Sequence, residues 1–265
     1  MEKIFIESRT GAKIAVIFEK AKKQKGLAFV MPGQGGFKEQ PHMETFAAAF
    51  RENDYAVIRF DPRNSIGESE GKMEDATITS YYDDLEDVVR WAKTQSWYRG
   101  PFVLAGHSLG GICAALYAER HPGEVKALAP ISTVVSGKLS YEAHMAHEPK
   151  EIEDWKRTGW QVRESQSRPG VIKRLKWANM EDRLKYDLLE KVENLTMPVL
   201  MIVGEKDVGT PPEHQKILYD KLPGKKEMHV IKGAEHTFRE KEHLNEIKEI
   251  FNCWIKSLQP IKHHG

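Results

Sequence analysis

The pattern G-x-S-x-G occurs twice in this chain, at Gly67-Glu68-Ser69-Glu70-Gly71 and at Gly106-His107-Ser108-Leu109-Gly110. It carries chemistry only where a buried strand runs into a sharp turn and then a helix, because that turn lifts the serine hydroxyl to the helix N-terminus. Ser108 follows the apolar run Phe102-Val103-Leu104-Ala105 and precedes a helix-period stretch with Ile112, Ala115, Leu116 and Ala118. Ser69 sits among polar residues with neither element attached. Ser108 is therefore the candidate nucleophile; its bland reading is a helix N-cap serine.

A serine hydroxyl is a weak nucleophile at neutral pH, so it needs a base, and the base needs an orienting acid. On a strand-turn-helix elbow the chain order is serine, acid, histidine. Two later strand candidates end on such residues. Gly204-Glu205-Lys206-Asp207 follows Pro198–Val203, and Glu235-His236 follows Met228–Ile231. Asp207 is expected as the acid and His236 as the base. Glu205 is the alternative acid, and otherwise a residue that holds its loop. His144 and His147 lie outside this context and read as surface or packed side chains. The Leu109 N–H would face an oxyanion formed at Ser108. A second donor is expected in Met31-Pro32-Gly33-Gln34-Gly35-Gly36-Phe37, at Gln34 first and Gly35 next. The chemistry is acyl transfer to water. It requires no metal and no organic cofactor.

Such residues need a scaffold that converges them. Strand candidates lie at 3–8, 13–19, 26–31, 55–60, 102–106, 126–131, 198–204 and 226–231, and several are continuous apolar runs suited to a parallel sheet buried on both faces. Helix-period stretches alternate with them, one capped by Thr79 or Ser80, another carrying Leu244, Ile247, Phe251, Trp254 and Leu258. The alternation predicts an α/β fold with an eight-stranded, mostly parallel sheet, its first two strands pairing as an antiparallel hairpin at one edge. The rhythm breaks over 135–196, which has no strand-like run and holds Trp155, Trp160 and Trp177. This stretch is expected to form an inserted helical cap, or lid, over a catalytic core made of 1–134 and 197–265. Trp155 and Trp160 would present an apolar or aromatic surface to the substrate.

Composition narrows the partners. Lys+Arg number 40 and Asp+Glu 39, so the formal net charge is +1, without the basic excess of a nucleic-acid binder. No apolar stretch reaches the length of a membrane span, and the first residues lack a signal-peptide run. Two distant cysteines, Cys113 and Cys253, give no disulfide framework and no metal-ligand spacing. A cytoplasmic protein with reduced thiols is expected, with monomer and homodimer both open. The terminal Lys262-His263-His264-Gly265 is too short to read as a metal site.

Together, Gly33-Gln34-Gly35-Gly36, Tyr55–Asp61, Gly67–Gly71, Gly106–Gly111, Gly204–Asp207 and Glu235-His236 resemble the α/β-hydrolase superfamily over nearly the whole chain outside the insertion. The nearest resemblance is to the feruloyl/cinnamoyl esterase-like serine hydrolases, neighbours of the monoacylglycerol lipases. It implies that the Ser69 pentapeptide is a structural turn and that a helical cap precedes the acid-bearing strand. Pro32 stands where that group usually has histidine. The implied activity is a serine carboxylesterase acting on a small feruloyl/cinnamoyl or short acyl ester. Monoacylglycerol lipase or lysophospholipase is the alternative, then a peptidase or amidase; a non-catalytic binding protein on the same scaffold is the rival from another class.

Overall fold

The computed structural model describes residues 1–259; the His263-His264 tail lies outside them. Eight strands form one sheet: β1 (Glu2–Glu7), β2 (Lys13–Glu19), β3 (Gly26–Met31), β4 (Tyr55–Phe60), β5 (Phe102–His107), β6 (Val125–Ile131), β9 (Val199–Gly204) and β10 (Lys226–Ile231). Two further short strands, β7 (Trp160–Glu164) and β8 (Ile172–Lys176), pair separately. The order across the large sheet is β1-β2-β4-β3-β5-β6-β9-β10. β1 and β2 pair antiparallel, as do β2 and β4, and the other pairs are parallel. This is the α/β-hydrolase fold, with the expected hairpin at one edge.

Alternate residues of each strand enter opposite cores, as a pleated strand requires. Leu27 and Phe29 pack with α2 (Ile78–Lys93) and α3 (Leu109–Arg120). Ala28 and Val30 pack with α1 (Pro41–Glu52) and α8 (Lys241–Ser257). β3 to β6 and β9 are thus covered on both faces, which is why they read as apolar runs. The cap of α2 is Thr77, two residues before Thr79 and three before Ser80. Thr77 and Ser80 exchange hydrogen bonds in a capping box. Among the described residues no helix is long and apolar enough to cross a membrane.

The turn after β4 is an ionic knot. The fully buried Lys38 ammonium lies 2.7 Å from Asp61 and 2.6 Å from Glu68, and Asp61 also accepts the Lys38 and Glu68 backbone N–H groups. Ser69 accepts the Ala15 N–H at 2.8 Å and donates to the Asp61 carbonyl at 2.5 Å. It is spent on holding this turn against β2. Lys38→Met would strand the buried Asp61 charge, so stability is expected to fall by about 3 kcal/mol in urea unfolding. A change near zero would show that the knot does not support the fold.

The segment 135–196 differs from its all-helical expectation. It contains α4 (Gly137–His147), α5 (Pro149–Thr158) and α6 (Ala178–Arg183), but between them β7 and β8 form an antiparallel hairpin. Gly159, at φ 79°, ends α5 in the left-handed conformation and turns the chain into β7. The hairpin is short and its strands are interleaved with Arg163, Lys173 and Arg174, so no apolar run marks it. Its tip is tied to the core, where Ser167 accepts from Gln40, Arg168 donates to the Ile66 carbonyl, and the Arg168 guanidinium lies over the Phe37 ring.

Candidate active site

Ser108 stands between β5 and α3 at φ 55°, ψ −118°, a region that side chains rarely occupy. The conformation is held by its own N–H, which donates to the Ile131 carbonyl at 2.9 Å. It is also held by tight packing around Gly106, where a Cβ would lie 2.2 Å from the Gly110 carbonyl oxygen. The Ser108 hydroxyl meets His236 Nε2 at 2.9 Å, and His236 Nδ1 meets Asp207 Oδ2 at 2.8 Å. All three predicted residues are brought together, although they lie on separate strand ends. Glu205 faces elsewhere and accepts the Gly233 N–H at 2.7 Å, holding the loop that leads to His236.

The buried Asp207 carboxylate is fully engaged. Oδ1 accepts the N–H groups of Gly209 (3.0 Å) and Thr210 (2.9 Å), and Oδ2 lies 2.8 Å from the Thr210 hydroxyl. Burial alone would raise its pKa, but the His236 charge and hydrogen bond, with the Thr210 contacts, outweigh it and hold the carboxyl below the usual range. Asp207 is therefore ionised at neutral pH, and His236 carries its proton on Nδ1 and leaves Nε2 as acceptor for the serine proton. His107, before Ser108, donates from Nε2 to the His236 carbonyl at 2.8 Å. Burial, with the nearby His236, pushes the His107 pKa down to about 3, so this support is a neutral imidazole.

Two backbone amides complete the surroundings of Ser108. The loop after β3 passes so close that a Cβ on Gly33 would sit 2.9 Å from Ser108 Cβ. The Gly35 N–H is engaged by the Tyr81 hydroxyl at 3.3 Å, whereas the N–H groups of Gln34 and Leu109 donate to no acceptor among the described residues. The Gln34 side chain is fixed from outside the sheet, its Oε1 accepting from Asn179 (3.1 Å) and Arg183 (2.8 Å) of α6.

A cavity of about 230 Å³ opens above Ser108, bounded by Gln34, Leu109 and His236 below and by residues of 135–196 above. Trp155 lines it, with its indole N–H donated to the Leu175 carbonyl. Trp160 does not. On β7 the period-two alternation turns Gln161 and Arg163 to the cavity and Trp160 to the other face, where the Arg174 guanidinium lies 4.5 Å from its ring centre. Gly35 lines a smaller adjoining cavity that also touches Ser108. Thr210, His107, Lys173 and Arg183 were not legible as site residues. Only Thr210 had a local signal, three residues after the acid, where a hydroxyl can fold back on a carboxylate. His144 also reaches the cavity, half-buried, with its Nε2 3.4 Å from the Arg183 guanidinium.

With this geometry in place, comparison with known proteins adds lineage. Residues 23–242 match the profile of Hydrolase_4, described as serine aminopeptidase, S33. The mitochondrial palmitoyl-protein thioesterases ABHD10 of Bos taurus and Mus musculus are 26% and 28% identical, over 79% and 71% of this chain. The matches span 66% and 61% of those two proteins, less than two thirds of each. Among solved structures, Est1E from Butyrivibrio proteoclasticus with ferulic acid bound has a TM-score of 0.81 at 22% identity, covering 96% of this chain and 98% of that one. Alpha/beta hydrolase domain-containing protein 10 from mouse has a TM-score of 0.79 at 20% identity, covering 98% and 100%. At such identities these structures establish the shared fold.

Proposed function

Because the chain belongs to the serine aminopeptidase S33 family of α/β-hydrolases, and is thus a serine hydrolase, we propose that it cleaves a short carboxylic ester through an acyl-enzyme on Ser108. The observation that supports this best is the continuous chain from Ser108 through His236 to Asp207 beside two undonated amides. His236 Nε2 takes the hydroxyl proton as Ser108 attacks the ester carbonyl. The Leu109 and Gln34 N–H groups receive the oxyanion, each such donor typically contributing ~2.7–4 kcal/mol. His236 then protonates the leaving alcohol, and water repeats the sequence to release the acid. Asp207 stabilises the imidazolium and fixes its tautomer.

The chamber between Ser108, Trp155 and Arg183 suits a small acyl group: it holds about 230 Å³, below the roughly 300–1,000 Å³ of typical ligand sites, while a wider cavity continues past Lys173 and His236. The polar lining by Gln161, Arg163 and Ser140 also disfavours a long lipid chain, and so a monoacylglycerol or lysophospholipid. Trp155 leaves room for an aromatic acyl such as a hydroxycinnamate. A thioester is the second reading, favoured by the thioesterases named among the relatives, and the same atoms would serve it.

A fluorophosphonate probe, with a panel of 4-nitrophenyl acyl esters, methyl ferulate, a monoacylglycerol and a palmitoyl thioester, tests this. Ser108 is expected to be labelled, and acetyl and butyryl esters to be cleaved faster than octanoyl or longer ones. Absence of labelling would favour a non-catalytic role. Preference for the monoacylglycerol or the palmitoyl thioester would overturn the short ester.

A further inference from the structure

The cavity above Ser108 is lined by three cationic side chains, Arg163, Lys173 and Arg183, and by no Asp or Glu. Arg163 is neutralised by Glu148 and Glu151. The other two are not. Arg183 is 7% exposed, and among the described residues no carboxylate lies within 4.0 Å of it. Its partners are neutral: Gln34 Oε1 (2.8 Å), Ser140 Oγ (3.0 Å), Asn179 Oδ1 (3.2 Å) and His144 Nε2 (3.4 Å). Its Nε has no hydrogen-bond partner among the described residues. The adjacent Asp182 is turned away and accepts from the N–H and hydroxyl of Thr79. Burial draws the Arg183 pKa down to about 10, which leaves it charged at neutral pH. The half-buried Lys173 side chain, on β8, has neither a hydrogen bond nor an ion pair among the described residues. Burial, with Arg163 and Arg239 nearby, lowers its pKa.

A buried cation without a counter-ion costs stability. Arg183 could serve merely as a strut for Gln34, but a strut needs hydrogen-bond donors, not a charge; the Lys173 stem packs near Gly35, yet its ammonium holds no group among the described residues. Asp182 acts on Arg183 only through space, and two cations without an ion pair among the described residues, on one cavity wall beside the nucleophile, suit a third party of opposite sign. We propose that the ester carries an anionic group, a carboxylate in its simplest form, held by Arg183 and Lys173. This rests on the reading of Ser108 as the ester-cleaving nucleophile and narrows its substrate class. It also accounts for a cap whose cavity is less apolar than its tryptophans suggest.

The test compares esters of equal shape and different charge. One pair is 4-nitrophenyl hemisuccinate and 4-nitrophenyl methyl succinate, with the charge on the acyl side. The other is 4-acetoxybenzoate and its methyl ester, with the charge on the alcohol side. In at least one pair the native protein is expected to favour the anion by about tenfold or more in kcat/KM, the scale of a hydrogen bond to a charged group. Lys173→Met and Arg183→Met should each bring that ratio toward one. Lys150→Met, which removes an exposed cap charge, should leave the ratio in place. A strut role for Arg183 would slow both members of a pair alike and keep the ratio. If Arg183→Met does not fold, Lys173→Met alone decides. Cleavage of the neutral esters with no preference for the anion in either pair would overturn the inference and leave the ester-hydrolase reading standing. Absence of both cleavage and Ser108 labelling would overturn both. A preference that survives both substitutions would also overturn the inference.

Discussion

Replacing Ser108 by alanine is expected to lower kcat by at least ~10³-fold while the protein stays folded. Among the described residues the Ser108 hydroxyl has one partner, His236 Nε2, so alanine removes the nucleophile without orphaning a buried group. The unusual φ of 55° is imposed by the turn and remains with alanine, so the elbow keeps its shape and its strain. The amides of Leu109 and Gln34 also remain, and such donors alone can leave a residual ~10³–10⁴-fold acceleration over water. Steady-state hydrolysis of 4-nitrophenyl butyrate and circular dichroism check both halves of the expectation. Near-native turnover by the alanine variant would mean that the reacting atom lies elsewhere.

Asp207→Asn is expected to lower kcat by about 10⁴-fold, by reversing the proton on His236. The geometry dictates how the amide must lie. Oδ1 accepts from the Gly209 and Thr210 N–H groups, so the amide oxygen belongs there and the NH₂ takes the position of Oδ2. That NH₂ then faces His236 Nδ1, which must accept, and the ring proton moves to Nε2. A protonated Nε2 cannot take the Ser108 proton. Because the clamp on Oδ1 survives, Tm should change far less than kcat. A loss of less than tenfold would show that Asp207 is not what sets the tautomer. The same contacts keep the native carboxylate charged as pH falls, so any acid-side loss of activity must arise from another group.

All eight strands of the large sheet were legible, even the half-exposed β10 and the largely exposed β1, which lie within one residue of their expected bounds. β3, β4 and β9 are the plainest apolar runs, because helices cover both of their faces. β7 and β8 were missed because each has five residues and no apolar run: Trp160 and Val162 alternate with Gln161 and Arg163 for a single hairpin arm, and Val162 and Ile172 face solvent. Ser108, Asp207 and His236 were legible because each ends a core strand or opens the loop after it, in a chain order the elbow prescribes. Trp160 misled because an aromatic residue reads as substrate surface until the strand face is known. Arg183 and Lys173 were silent, since an unpaired charge is defined by what is absent around it, and only the folded molecule shows that. The near-even totals of acids and bases hid a local cationic excess.

The grip of Asn179 and Arg183 on the Gln34 side chain ties two events that are usually treated apart. If the Gln34 amide serves as oxyanion donor, its position depends on α6 remaining in place, so substrate capture and catalytic readiness share one equilibrium. Linkage makes that dependence reciprocal. A ligand that pins α6 firms the amide, and an acyl group bound at the amide draws α6 inward by the same free energy. Selectivity would then register in turnover as well as in affinity, because a poorly matched substrate would meet a poorly assembled catalyst.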